Sequence, residues 1–375
     1  MNENKRKIVF LTIGSIKAIA TMKRALGMAN PLNELGWDVL IIAEDDSENR
    51  KRINLECNRN IQIFYYKKGN FVNEVKQKTT LVELIKPDIV YFCSFSIRNF
   101  FLKSRLSFTP EIIVEYSEMS SKIGDASWYR KCYMSFMEKY SVRYANRIVA
   151  ASKYLYHYYS DHKINKRNIP VEYSPYAYND QVLMSDNQRY TKELCDRYKN
   201  HAVFIYMGSF VKNYGFYTML ESVKLLKQGG NKNFKFLFMG KGAELENGIK
   251  LVDAYDIGDE VEFLGYVDED KLSSYFSIAN AFVSPLNNTI QDIARCPSKI
   301  YMYLPFKKPI ITSKIGEPYQ IFKEEGLYFD VENPLSLSVL LESVIKNQTT
   351  YCPINEEDHT WRTRARHFDD WIKSI

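Results

Sequence analysis

The chain has 375 residues, 45% hydrophobic and 26% charged, with 16 Gly and 12 Pro. That composition excludes disordered, collagen-like and low-complexity classes, and the length exceeds the roughly 250–300 residues that one core serves, so two domains are expected. A formal net charge of +6 suits anionic small molecules or a weak pull toward anionic membranes; with no basic block in the sequence, it argues against nucleic acid as a partner.

In chain order the pattern alternates strand and helix. Residues 7–13 (KIVFLTI) read as a buried strand followed by Gly14 and Ser15. An apolar periodic stretch, 25–35, stops at Gly36, and 37–43 (WDVLIIA) is a second strand. Strands follow at 61–66, 88–93, 111–116 and 147–151, with a short helix at 80–86 and a longer one at 127–145. The polar stretch 179–200 separates this half from a second alternation. There, 202–207 (AVFIYM), 234–239 (FKFLFM), 261–264, 281–284, 309–312 and 327–329 read as strands. Helices are expected at 215–228, 269–280, from Ser298, and at 334–346. The pattern predicts two doubly wound α/β domains, 1–178 and 179–355. Residues 356–375, with Trp361, Phe368 and Trp371, read as an amphipathic helix packing back on the first domain.

The six cysteines form no CxxC pair, and Cys93 and Cys132 read as small hydrophobes in a strand and a helix. No secretory signal precedes the first strand, and no apolar run approaches the ~20 residues of a membrane span. A reducing cytoplasm is therefore the expected location. The 28 Tyr and 22 Phe read first as packing residues, with sugar stacking or a membrane edge as the alternative.

Ligands of open α/β sheets bind at the carboxyl ends of the strands. Three such loops in the second half suit a sugar nucleotide. Gly208-Ser209-Phe210-Val211-Lys212 pairs a glycine open to close approach with a lysine for phosphate, or is a plain turn with an exposed lysine. Gly240-Lys241-Gly242 permits left-handed backbone, as many surface loops do. The third is the segment 288–299, with Thr289 as a further donor-side candidate. Pro297 suits a first helical turn, Ser298 and Lys299 offer amides and a cation at the helix start, and Arg295 could add a two-pronged grip, or the segment is a helix start with surface charges.

Elsewhere the signals are weaker. Glu118, beyond the strand 111–116, is a candidate for an acceptor hydroxyl or a solvated loop carboxylate. The five histidines follow no first-domain strand, and the acidic runs Asp45-Asp46 and 268–270 read as turns or helix starts, so no metal site is expected. Gly14-Ser15-Ile16-Lys17 is not a dinucleotide fingerprint. Residues 97–108 (IRNFFLKSRLSF) mix cations with aromatics, which suits contact with a membrane or an ordinary surface helix.

Several of these segments together resemble the retaining GT-B glycosyltransferases of the large glycosyl transferases group 1 family. Gly208 to Gly215 resembles that family's glycine-led loop, and Gly240 to Leu245 its G-x-G-P-E-L loop. Residues 261–267 resemble its V-x-F-x-G-x-V strand, Arg295 to Lys299 its R-x-P-S-K helix start, and 312–317 (TSKIGE) the loop after the next strand. The likeness is specific over 202–345 and loose before that. It implies two Rossmann-like domains facing each other across a cleft. Lys212, Lys299 and Arg295 would hold the donor diphosphate. Gly208, Ser209, Thr289, Pro297 and Ser298 would line that site, and Gly240, Lys241, Gly242 and Tyr266 would flank base and ribose. Gly14 and Ser15 would lie on the acceptor side.

The reading that follows is a cytoplasmic hexosyltransferase, at the inner face of the membrane where its acceptor is lipid-linked. It would take a UDP- or GDP-sugar, need no metal or other cofactor, and build a surface polysaccharide with retention. Relatives carry two glutamates around the donor helix where this chain has Ala294 and Met302, an arginine at Ser209 and a lysine at Tyr214. A non-catalytic GT-B subunit and a nucleotide-sugar epimerase are the competing readings.

Overall fold

A computed structural model describes residues 5–16, 21–94, 96–124, 126–178 and 188–374. Lys17 and residues 179–187 of the polar stretch between the two halves lie outside the described residues. The chain divides into two compact units, one of 1–177, 294–296 and 357–375, the other of 178–293 and 297–356.

The first unit runs β1 (Lys7–Leu11), α1 (Thr21–Glu34), β2 (Asp38–Glu44), α2 (Ser47–Glu56), β3 (Gln62–Tyr66), α3 (Phe71–Ile85), β4 (Ile89–Phe92), α4 (Ile97–Phe100), β5 (Glu111–Tyr116), α5 (Trp128–Tyr144), β6 (Arg147–Ala150), α6 (Lys153–Ser160) and β7 (Val171–Tyr173). Its seven strands lie in the order β3-β2-β1-β4-β5-β6-β7, all pairs parallel.

The second unit runs α7 (Gln188–Arg197), β8 (Ala202–Met207), α8 (Phe216–Gln228), β9 (Phe234–Met239), α9 (Leu245–Ala254), β10 (Val261–Gly265), α10 (Glu269–Ile278), β11 (Ala281–Ser284), α11 (Ile290–Ala294), α12 (Ser298–Tyr303), β12 (Ile310–Ser313), α13 (Gly316–Phe322), β13 (Leu327–Phe329) and α14 (Pro334–Ile345). Its six strands lie in the order β10-β9-β8-β11-β12-β13, again all parallel. Parallel sheets are covered on both faces by their crossover helices, so their strands are apolar along their length. Each sheet reverses its order once, at β1/β4 and at β8/β11, and a ligand crevice opens at such a point.

Several helices differ from the sequence reading. The short helix at 80–86 is the end of α3, a helix of 15 residues that starts at Phe71 because the Asn70 side chain accepts the Asn73 N–H. Helix α2 carries the polar sequence SENRKRINLE and is set by its cap, Asp46, which accepts the N–H groups of Glu48 and Asn49 at 3.0 and 3.2 Å. The polar stretch before β8 contains α7, which packs on α10. The segment 97–108 is one α turn followed by a 3-10 turn, Lys103–Arg105. Cys132, read as a packing residue, is exposed, while Cys93 is buried.

The final helix, α15 (Trp361–Lys373), lies on α1 of the first unit. Gly27 of α1 leaves room for the Trp361 ring, which a Cβ would strike. The Trp37 Nε1–H donates to Asp369 at 2.9 Å, and Arg364 Nε–H to the Pro175 carbonyl at 3.2 Å. Beneath them, buried Arg24 pairs with buried Glu115 at 2.8 Å and donates to the Ser174 carbonyl at 2.6 Å. Tyr91 Oη donates to the same carboxylate at 3.2 Å.

In the second unit the phenylalanines are core. Phe204, Phe210, Phe216, Phe234, Phe236 and Phe238 are all inaccessible, and the Phe210 and Phe216 rings stack at 5.2 Å. No helix among the described residues is long and apolar enough to cross a membrane.

Candidate active site

Three loops meet at the carboxyl edge of the second sheet. The β8 and β9 loops are joined by main-chain hydrogen bonds. Gly208 N–H donates to Met239 O at 2.9 Å, Phe210 N–H to Lys241 O at 3.0 Å, and Glu244 N–H to Phe210 O at 3.1 Å. Gly240 N–H reaches Gly265 O at 2.7 Å, which brings the β10 loop alongside. The glycines here answer to packing. A Cβ on Gly240, whose φ is +138°, would run into the Gly208 carbonyl, and one on Gly242 into the Phe210 backbone.

The cation of the site comes from α12. The Lys299 ammonium lies 4.1 Å from the centroid of the Tyr206 ring, and a Cβ on Gly208 would stand 2.7 Å from it. Tyr206 is fully buried and its hydroxyl donates to the Ser209 carbonyl at 2.9 Å, so the ring under Lys299 also fixes the β8 loop. Tyr303, from the same helix, accepts the Met207 N–H at 3.0 Å and stacks on Phe282 at 4.2 Å. Burial pushes its phenol well above the ordinary range. Two tyrosines thus fasten α12 to the end of β8. The sequence reading missed both. The only signal was a Tyr inside the apolar run AVFIYM.

Helix α12 is shorter than expected, six residues followed by a 3-10 turn, Leu304–Phe306. Pro297 caps it rather than opening its first turn, and its carbonyl takes the Ile300 N–H at 3.1 Å. Pro297 is buried and Ser298 half-buried. Thr289 caps the preceding α11: its hydroxyl accepts the Asp292 N–H at 3.2 Å, while the buried Asp292 carboxylate accepts the Asn287 N–H at 2.7 Å.

Lys212 is exposed on the 3-10 turn Lys212–Tyr214. The Tyr217 hydroxyl, the Asn247 amide at 3.0 Å and the charge of Lys212 together hold the Glu244 carboxyl below the usual carboxylate range. Tyr266 follows Gly265, is 43% exposed, and stands where the β10 loop meets Gly240. The structure therefore brings Gly208, Ser209, Gly240, Lys241, Gly242, Tyr266 and Lys299 to one edge, with Lys212 on the neighbouring turn.

Arg295 is built differently. The stretch 288–299, read as a single loop, is divided, and 294–296 packs within the first unit. Ala294 is inaccessible in that unit's core, with its carbonyl taking the Ser152 hydroxyl at 2.6 Å. Cys296 N–H donates to Ser117 O at 3.1 Å, and Tyr176 N–H to the Cys296 sulfur at 3.4 Å. Arg295 sits half-buried between these anchors.

At the carboxyl edge of the first sheet, Gly14 takes φ +69° after β1. Ser15 Oγ donates to Asp46 at 3.0 Å. Asn49, buried, accepts the Ile16 N–H at 2.9 Å and donates to the Gly14 and Glu44 carbonyls at 3.0 Å each. Glu118 is exposed after β5, 3.5 Å from the Ser120 hydroxyl. Among the described residues no group of three or more His, Cys, Asp or Glu side chains is placed to hold a metal ion.

Two doubly wound parallel units, each with its loops at a switch point, define the GT-B fold class. Solved structures share it over almost the whole chain. HepE of Anabaena, in complex with UDP and glucose, has 11% identity and a TM-score of 0.77, covering 99% of this chain and 100% of that one. Sucrose-phosphate synthase from Thermosynechococcus elongatus has 16% identity and a TM-score of 0.76, with 99% of each covered. The pneumococcal O-GlcNAc transferase GtfA, in complex with UDP and GlcNAc, has 8% identity and a TM-score of 0.72, again with 99% of each covered. Residues 192–368 match the sequence profile of the family Glycosyl transferases group 1. No curated protein matches its sequence significantly.

Proposed function

We propose that the protein is a retaining hexosyltransferase that binds a nucleoside-diphosphate sugar at the edge formed by Gly208, Gly240 and Lys299. The observation that carries this reading is the Lys299 ammonium, held on Tyr206 beside a glycine loop at the β8/β11 switch point. A fixed cation against open backbone suits a diphosphate. Ser298, Pro297 and Thr289 shape its surroundings, Lys212 and Arg295 add charge, and Lys241 and Tyr266 flank the base and ribose. UDP is the first donor base to test, because HepE and GtfA were solved with it.

In the proposed reaction the bond from the anomeric carbon to the diphosphate oxygen breaks, and a bond to an acceptor hydroxyl forms on the same face. The hydroxyl proton passes to the leaving phosphate, and the protein supplies position and positive charge. Residues 1–178 would bind the acceptor, with Gly14, Ser15 and Glu118 at that edge. Residues 179–355 would bind the donor, and 356–375 would brace the first domain. The acceptor is proposed to be a glycan, or a lipid-linked glycan met at the cytoplasmic face of a membrane, in making a surface polysaccharide. No metal takes part in this scheme.

A second reading, a non-catalytic GT-B subunit, draws on Ala294, which buries a methyl group where relatives carry a glutamate. A thermal-shift screen with UDP, GDP, CMP and ADP on wild type and Lys299→Ala separates the two. Stabilisation of wild type by one nucleotide, much reduced in the variant, supports the donor site. No stabilisation at millimolar concentration overturns it.

A further inference from the structure

Helix α5 carries an apolar stripe on its outer face. Trp128, Tyr129 and Phe136 are 73%, 72% and 60% exposed, and Tyr133 and Cys132 are exposed with them. Tyr129, Tyr133, Phe136 and Tyr140 recur at helical spacing and share one side. Large aromatics are normally turned inward, since their burial dominates core energetics. A run of them left in water marks a surface built to meet something.

The charge on this face says what. The sequence of α5, WYRKCYMSFMEKYSVRY, has Arg130, Lys131, Lys139 and Arg143 against one acid, Glu138. Glu138 is turned inward, where it accepts the Ser121 N–H at 2.9 Å and the Ser121 hydroxyl at 2.6 Å. The outer face of α5 is thus cationic and aromatic. Beside Phe136 lies a groove of about 660 Å³, lined also by Ser121, Lys122, Lys131, Cys132, Ser135 and Lys139. Glu118 adds an exposed acid on the loop after β5, outside the helix, and Asp125 lies outside the described residues. A crossover helix runs antiparallel to its parallel strands, so the Trp128 end of α5 lies toward the carboxyl edge of the first sheet.

We infer that the outer face of α5 docks the protein on an anionic lipid surface. Trp128, Tyr129 and Phe136 enter the headgroup boundary, and Arg130, Lys139 and Lys122 at the groove meet lipid phosphates, while the Lys131 ammonium donates to the Gly124 carbonyl at 2.9 Å. Aromatic rings settle at the level of the headgroups, and each basic residue near an anionic leaflet adds attraction. This face is distinct from the segment 97–108, whose cations and aromatics lie on α4 and the turn after it. The inference deepens the lipid-linked acceptor reading and rests on it for its purpose, since a docked first unit would meet its acceptor in the membrane; its test does not depend on that reading.

The test is co-sedimentation of the full chain with vesicles of phosphatidylcholine, alone or mixed with phosphatidylglycerol. Wild type should bind the mixed vesicles, bind the neutral ones far less, and release as salt is raised. Two variants, Trp128→Ser/Tyr129→Ser/Phe136→Ser and Arg130→Gln/Lys139→Gln, should each bind the mixed vesicles about tenfold more weakly or worse. Their melting temperatures should stay near wild type, because the changed side chains are exposed. Lys299→Ala should bind vesicles as wild type does. Absent binding to mixed vesicles, or unchanged binding by both α5 variants, overturns the inference. So does sedimentation showing a dimer that the α5 variants dissociate, which would give the face to a second copy of the chain. Nucleotide stabilisation in the same preparations reads the donor site separately, so either reading can fail without the other.

Discussion

The Lys299 ammonium stands 4.1 Å from the centroid of the Tyr206 ring. Tyr206 is the next-to-last residue of β8 and Lys299 lies in the first turn of α12, between β11 and β12, so this contact ties the two sides of the switch point together. A cation held on an aromatic face is oriented before any ligand arrives, and the contact contributes about 0.5–2 kcal/mol by itself.

Lys299→Ala should weaken nucleoside-diphosphate binding by roughly 10–100-fold, the range of one lost charge-assisted hydrogen bond at about 1.5–3 kcal/mol. Its own melting temperature should change little by comparison. Titration calorimetry on both proteins gives the ratio directly.

Gly240→Ala and Gly242→Ala should each destabilise the second unit by about 1–3 kcal/mol, as overpacking does. The new methyl groups meet main-chain atoms of Gly208 and Phe210, which cannot turn aside as a side chain can. Urea unfolding measures the loss, and nucleotide binding should fall in step because the proposed donor site is built on the same loops.

Restoring a glutamate by Ala294→Glu should not improve activity. Position 294 is inaccessible within an apolar core, so a carboxylate there would be buried without a partner. A cost of about 3–5 kcal/mol is expected, read as a lower melting temperature. A gain in turnover would show that the segment 294–296 rearranges.

Trp361→Ala should cost the first unit about 3–5 kcal/mol. The ring fills the space left by Gly27, lies 6.1 Å from the Tyr176 ring and covers Arg24 at 5.5 Å. Its loss would also admit water to the Arg24–Glu115 pair. Denaturant unfolding followed by tryptophan fluorescence checks the value.

Acid should weaken the first unit through His359. Burial, together with the charge of Arg364, pushes its pKa down to about 4 from an ordinary 6.5. Between those values the unfolded chain binds more protons, so stability rises with pH across this window. The contribution is full above about pH 6.5 and is lost progressively as pH falls to about 4. Partial exposure reduces it to about 1–2 kcal/mol. His359→Gln should flatten melting temperature against pH in that window.

Much of the architecture was legible in the chain because parallel strands are buried on both faces. Residues 202–207 are apolar throughout and 234–239 apolar but for Lys235, and they are followed by Gly208 and Gly240, so both the strands and the loops that follow them can be read. Lys299 could be singled out for the same reason, as a cation beside Pro297 and Ser298 at a strand-to-helix loop. Helix α2 was not legible, since its polar sequence has little periodicity and depends on the Asp46 cap. Glu115 showed only as a charge inside the strand EIIVEY, with nothing to name Arg24 as its partner ninety-odd residues away.

Residue type and spacing, then, determined the alternating elements, the parallel sheets and the glycine-and-lysine loops, because burial period and backbone freedom are local properties. Tertiary structure alone decided that Lys299 rests on Tyr206, that Gly27 makes room for Trp361, and that 294–296 leaves its neighbours to join the first core. Those are contacts between distant parts of the chain. They depend on strand order and on the side-chain shapes that meet once the sheets have closed, which no local pattern records.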